Sequence, residues 1–354
     1  AAAPVAPRER VEVRTDVLKV TLDSEGGTLV RSEFLKHADM ADKTQPFVLM
    51  DESKDRFYVA QSGLIGGAYP THKTPMTVSV QRELKDGANE LVVKFESPDL
   101  GGVKLVKTYT FQRGSYAMAV RHEIINTGTA PVSPQLYLQL VRDGSKPPGE
   151  SSFYSTFTGP AIYTEAKKYH KVDFSDIDKN KADIDKTSTN GYVAMVQHYF
   201  ASAWLLGDGI TRENFVRKVD DKYYAVGMIT TVPTIAPGAS RTVDAKLFDG
   251  PQEEKILETL APGLELVKDY GWLTILAKPL YWLLDKIHSV LGNWGWSIMG
   301  LVLLLKIMFY WLNAKAYASM AKMKAVNPKI MEMRERLKDK PQQMQQEMMR
   351  IYRE

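Results

Sequence analysis

From Val11 to Phe248 apolar and polar residues alternate in short runs. Leu18, Val20 and Leu22 are separated by Lys19 and Thr21. Leu91, Val93 and Phe95 flank Val92 and Lys94, and Leu136, Leu138 and Leu140 flank Tyr137 and Gln139. A period of two places one set of side chains on a single face of an extended strand. Asp86-Gly87 between Met76–Val80 and Leu91–Phe95 signals a hairpin, and Gly26-Gly27 and Asn126-Thr127-Gly128 punctuate other strands. No helical period of useful length interrupts the region, so the pattern predicts an antiparallel β-sandwich over residues 11–250 rather than an α/β fold. Residues 1–10, opening on an Ala/Pro run, read as a linker. Lys167 to Lys186 is rich in charge and reads as a solvated loop.

The period then changes. Pro251 to Leu260 reads as a short helix with Asp249 near its N-cap. Across Trp272 to Leu291, Leu273, Leu276, Leu280, Leu283, Leu284, Ile287 and Leu291 share one face, with Lys278, Asp285 and Lys286 opposite. The pattern predicts an amphipathic helix starting at Pro279 and lying in a membrane interface. Residues 294–313 follow, with Trp294 to Leu312 apolar apart from one lysine, Lys306. That run matches the roughly 20 residues needed to cross a bilayer. Beyond it, Pro328–Leu337 and Pro341–Arg353 read as two amphipathic helices broken at Asp339-Lys340, a helical hairpin within residues 314–354.

Charge gives this layout a direction. The net charge is +4, and from Lys315 to Glu354 ten Lys/Arg face five Asp/Glu. Basic flanks stay on the cytoplasmic side, so residues 1–293 are expected in the periplasm and 314–354 in the cytoplasm of a bacterial inner membrane. The absence of cysteine excludes disulfides, thiol nucleophiles and thiolate metal sites. A start without methionine and an end inside a helical pattern suggest a segment of a larger, multi-pass membrane protein.

The chemistry-bearing feature is a polar stripe. On a continuous helix Lys306, Tyr310, Asn313 and Tyr317 stack at i, i+4, i+7 and i+11. A charge inside a span is costly and tends to mark function. Three arrangements admit it: a water-filled recess open to the cytoplasm, an ion pair with another helix, or a side chain that snorkels to the headgroups. No GxSxG, HExxH or phosphate-binding loop occurs, so no catalytic residue, metal or cofactor is assigned. His122-Glu123 leaves open a membrane-tethered carbohydrate-binding sandwich, although His122 runs in phase with Met118, Val120 and Ile124 and reads as a core histidine. Acids interleaved with the basic tail argue against nucleic-acid readout.

Long segments carry a family resemblance: RTDVLKVTLDSEGG (Arg14 to Gly27), GYVAMVQHYFASAW (Gly191 to Trp204), APGLELVKDYGW (Ala261 to Trp272), DYGWLTILAKPLYWLLDKIHSVLGNWGWS (Asp269 to Ser297), YASMAKMKAVNPKIMEMRERL (Tyr317 to Leu337) and QEMMRIY (Gln346 to Tyr352). The chain resembles the YidC/Oxa/Alb family of membrane protein insertases, in its Gram-negative form. The resemblance implies a periplasmic β-super-sandwich, an interfacial helix, the family's second transmembrane helix and the start of a cytoplasmic hairpin. It implies insertion and folding of inner-membrane proteins without covalent chemistry, alone or with the Sec translocon and SecDF, with nascent membrane proteins, the bilayer and the ribosome as partners. Members carry a positive residue, usually arginine, in a hydrophilic groove, and Lys306 occupies that position. Lysine keeps the charge but lacks the planar two-pronged fork of arginine.

Overall fold

The structure is a computed structural model describing residues 8–80, 83–147, 156–269, 273–336 and 341–353. These fall into two compact units, 1–268 and 269–354. Ala1–Pro7, at the start of the expected linker, lie outside the described residues, as do Trp272 and the Asp339-Lys340 break. Arg10, taken from sequence as linker, instead opens the first strand.

The first unit is β-rich, with two antiparallel sheets of nine strands among the described residues. One sheet runs, edge to edge, through Arg10–Arg14, Leu18–Asp23, Thr28–Ala38, Pro46–Glu52, Phe57–Ile65, Gln135–Asp143, Tyr223–Thr231, Arg212–Asp220 and Thr187–Ser188. The other runs through Lys168–Lys171, Gly159–Thr164, Tyr192–Gln197, Phe200–Leu206, Ser240–Pro251, Ala117–Asn126, Val103–Gln112, Glu90–Glu96 and Thr77–Val80. Leu18, Val20 and Leu22, Leu91, Val93 and Phe95, and Leu136, Leu138 and Leu140 are all buried, in the phase the alternation predicts. Both sheets contribute to one apolar cluster in which Trp204 is fully buried, its Nε1–H donating to the Gln139 carbonyl at 3.1 Å. The central strand Gln135–Asp143 is buried on both faces, because Tyr137, Gln139 and Val141 are also covered.

Three sequence expectations are corrected in this unit. Lys167 to Lys186 is not a plain loop: it holds the strand Lys168–Lys171 and a short helix α1 (Phe174–Asp178), pinned by buried Val172 and Ile177. Two apolar anchors among many charges were enough to order it. Helix α2 begins at Glu254 and runs to Leu260, with Glu253 as its N-cap residue. Asp249 caps nothing; it sits in the strand Ser240–Pro251 and is fully buried.

The second unit is helical: α3 (Thr274–Leu291), α4 (Trp294–Met308), α5 (Tyr310–Arg336) and α6 (Pro341–Arg353). Helix α3 starts five residues ahead of Pro279 and carries the proline inside it. The ring removes the N–H that would reach the Ile275 carbonyl, a local loss the helix accommodates. Likewise α5 passes through Pro328 without a new start there.

Candidate functional site

The turn between α3 and α4 is built by its own residues. Gly292 takes a left-handed conformation, φ 64°, and its N–H closes on the His288 carbonyl at 2.8 Å. Asn293 then caps α4: its side-chain oxygen accepts from the Trp296 N–H at 3.2 Å, and its carbonyl accepts from the Ser297 hydroxyl at 2.7 Å. The His288 and Trp294 rings stack 3.8 Å apart across the turn. Gly300 faces α3 where the two helices meet; a Cβ there would make ordinary contact with Ile287 Cγ2, at 3.5 Å. Leu280, Leu283, Leu284 and Ile287 are half-buried, as the predicted stripe requires. Leu273, Leu276 and Leu291, assigned to the same stripe, are exposed, and Asp285, assigned to the opposite face, is half-buried.

Outside this contact the helices show an unusual surface. Ile275, Trp282, Val290, Trp296, Leu303, Ile307, Met308, Trp311 and Leu312 are all exposed, Ile275 at 87%. Apolar surface on this scale marks contact with lipid or with other protein. Among the described residues no single helix is long and apolar enough to cross a membrane, but Trp294–Met308 and Tyr310–Lys324 pass together as a pair bent by 60°.

That bend changes the polar stripe. Phe309 ends α4 at φ −90°, ψ 4°, although its N–H still reaches the Leu305 carbonyl at 2.9 Å and its own carbonyl takes the Asn313 N–H at 2.9 Å. Phe309 thus keeps one i→i−4 bond on each side of the bend. No proline or glycine lies between Leu301 and Asn327; three successive aromatic residues, Phe309-Tyr310-Trp311, crowd the turn instead. Lys306 sits in the last turn of α4, where the helix dipole favours a cation. Tyr310, Asn313 and Tyr317 follow on α5, all exposed. The four residues do not form the straight line expected of a continuous helix. Among the described residues no carboxylate pairs with Lys306.

Two features went unnoticed in the sequence. Lys315 Nζ lies 3.9 Å from the centre of the Trp311 ring, and Lys286 Nζ lies 5.9 Å from that of Trp282. Both are Trp–Lys pairs at i, i+4, a spacing that could have been read.

In the β-unit, His122 is fully buried, with Nε2 2.9 Å from the Ser62 hydroxyl, and burial, aided by Lys107, lowers its pKa to about 3. It offers nothing to a carbohydrate, so the core reading of this histidine holds. Lys107, paired with it across adjacent strands, is equally buried. Its ammonium donates to the Gly26 carbonyl and, at 2.6 Å, to the Ser62 carbonyl, and burial lowers its pKa to about 7. No group of three or more potential metal ligands is found among the described residues.

Residues 10–283 match the family described as the YidC periplasmic domain, and residues 286–354 match the family described as 60Kd inner membrane protein. The Membrane protein insertase YidC of Cupriavidus necator is 52% identical over 359 residues, taking in 99% of this chain and 64% of its own length. Its namesakes from Cupriavidus metallidurans and Janthinobacterium sp. are 52% and 48% identical, with 100% and 99% of this chain covered against 63% and 62% of theirs. The chain thus spans a little under two thirds of the length of these relatives. Among solved structures, a putative aldose 1-epimerase from Escherichia coli K12 is similar at 10% identity over 68% of this chain and 99% of that one, with a TM-score of 0.41, too low to bear on function.

Proposed function

Since this chain belongs to the YidC family, we propose that it is the periplasmic domain and an adjoining membrane-embedded portion of an insertase of the bacterial inner membrane, which moves polypeptide segments into lipid without covalent chemistry. The observation that carries the reading is the exposed apolar surface of α4 and the first turn of α5, interrupted by Lys306, with which no carboxylate pairs among the described residues. Water would strip such a surface into aggregates, so its natural environment is hydrocarbon and neighbouring helices. Residues 294–313 would then cross the bilayer, α3 would lie at its outer interface, and the pair α5–α6 would form the cytoplasmic hairpin.

In this reading Lys306 supplies positive charge to a hydrophilic groove, and Tyr310, Asn313 and Tyr317 keep the groove wet. A cation held where lipid should be lowers the cost of bringing acidic or polar peptide across, because it replaces part of their lost hydration. The substrates would be nascent membrane proteins. The Sec translocon, SecDF and the ribosome are the partners the family resemblance implies. The Trp282–Lys286 and Trp311–Lys315 pairs suit the two interfaces, where aromatic rings and cationic heads anchor helices.

The test is a substitution series in full-length protein assayed for insertion of a substrate with an acidic translocated segment. Lys306→Ala is expected to reduce insertion by tenfold or more, and Lys306→Arg to retain it. Equal activity of all three proteins would remove Lys306 from the mechanism.

A further inference from the structure

One edge of the first sheet is left open. The strand Arg212–Asp220 pairs along its whole inner side with Tyr223–Thr231. On its outer side only Thr187 and Ser188 pair with it, opposite Glu213 and Arg212, and the Asn214 N–H reaches the Lys186 carbonyl at 2.8 Å. Because Asn214 points its backbone outward, the period of two turns the N–H and C=O groups of Val216 and Lys218 outward as well. The register shifts after Lys218, which ends the run. Among the described residues no backbone group meets Val216 or Lys218 from that side. A cavity of about 700 Å³ lies along this strand, lined by Ile177, Ala182 and Ile184 as well as Val216, Lys186 and Glu213.

We propose that this edge receives an extended segment of another polypeptide by strand addition. The unmet groups decide the class of ligand: donors and acceptors alternating along a strand are matched by another extended backbone, and not by a sugar or a nucleotide. Ile184 and Val216 give the wall of this cavity an apolar patch against which a side chain of the guest would pack. Exposed edges are normally blunted by charge and bulges. Here the bulge after Lys218 and the 2.9 Å ion pair between Lys218 and Asp178 close the far end of the slot but leave its middle open. This inference rests on the β-unit alone and is independent of the role given to Lys306.

The test uses the whole chain in detergent micelles, with micelles alone as the blank. The probe is a fluorescein-labelled ten-residue peptide of alternating Thr and Val, compared with the same peptide N-methylated at four consecutive central residues, which blocks both of its edges. Saturable binding of the unmodified peptide is expected, weakened about tenfold or more by methylation, since two backbone hydrogen bonds are lost. Val216→Pro should weaken it similarly, because proline removes an outward N–H that an edge strand does not need for its own fold. Val216→Ile should bind like the parent. If Val216→Pro fails to fold, the peptide pair decides alone. Equal binding of the two peptides, no saturable binding to the parent, or a self-associated dimer that Val216→Pro dissolves would each overturn the proposal.

Discussion

Asp249 is the least comfortable residue in the sandwich. It is fully buried, no hydrogen bond of good geometry reaches either oxygen, and burial pushes its pKa up to about 7, an effect that a weak interaction with the Ser32 hydroxyl only partly offsets. A carboxyl whose folded pKa is raised keeps its proton where the unfolded chain has lost it, so its folded form is favoured at low pH. That advantage is complete below about pH 4 and fades as pH rises to about 7. His122, lowered to about 3, and His72, lowered to about 4 by burial and by Lys107, act in the opposite sense over much of the same range. The two histidines together outweigh the carboxyl, so the parent's own pH profile does not report Asp249, and only a comparison with Asp249→Asn isolates it. The neutral variant should be more stable than the parent at pH 7.5, by an amount on the order of 3 kcal/mol. The difference should shrink to about 1 kcal/mol at pH 4.5 and close only below about pH 3.5. Urea midpoints followed by the β-sheet circular dichroism signal would show this, and a pH-independent difference would mean that the Asp249 pKa is the same in the folded and unfolded chain and is not raised by burial. Lys107 belongs to the same class of buried polar residue, held by carbonyls instead of left alone.

At the scale of elements, what the sequence disclosed follows from where the information lies. Strands were legible because alternation is local: Leu136, Leu138 and Leu140 announce their buried face without reference to any other strand. By the same rule Lys107 falls in phase with Val103, Leu105, Tyr109 and Phe111, and its burial could have been read there. The bend at Phe309 could not, because the helical period runs unbroken through it and no proline or glycine marks it. The starts of α3 and α5 were misplaced for a related reason. Proline was given the power to open a helix at Pro279 and Pro328, yet in both cases packing and the neighbouring hydrogen bonds carry the helix through. The Asn293 cap makes a checkable claim of its own. Asn293→Ala removes the acceptor for the Trp296 N–H, which should cost about 1 kcal/mol locally. Amide exchange in the first turn of α4 should then quicken roughly fivefold while that of the β-strands is unchanged. Unchanged exchange at Trp296 would show that the turn is held by Gly292 and the His288–Trp294 stack instead.

At the scale of the whole molecule the bend decides how deep Lys306 would sit. Helix α4 has 15 residues, which at 1.5 Å each span about 22 Å, short of a hydrocarbon core of about 30 Å. The first turns of α5 must therefore complete any crossing. If the 60° bend is shared equally by the two limbs, each residue advances about 1.3 Å along the membrane normal, and the crossing ends near Ala316. Lys306, twelve residues past Trp294, then falls close to the middle of the bilayer, deeper than a straight helix ending at Leu312 would put it. Snorkelling from that depth is a poor remedy, which strengthens the case for a water-filled groove or a partner helix. The chain has no cysteine, so Lys306→Cys in the full-length protein introduces a thiol that this segment otherwise lacks. A wet groove predicts that a charged, membrane-impermeant maleimide added from the cytoplasmic side labels that thiol at a rate within about tenfold of an exposed control on the basic hairpin. Labelling only by a membrane-soluble maleimide would place the site in hydrocarbon, and the groove charge assigned to Lys306 would have to be abandoned.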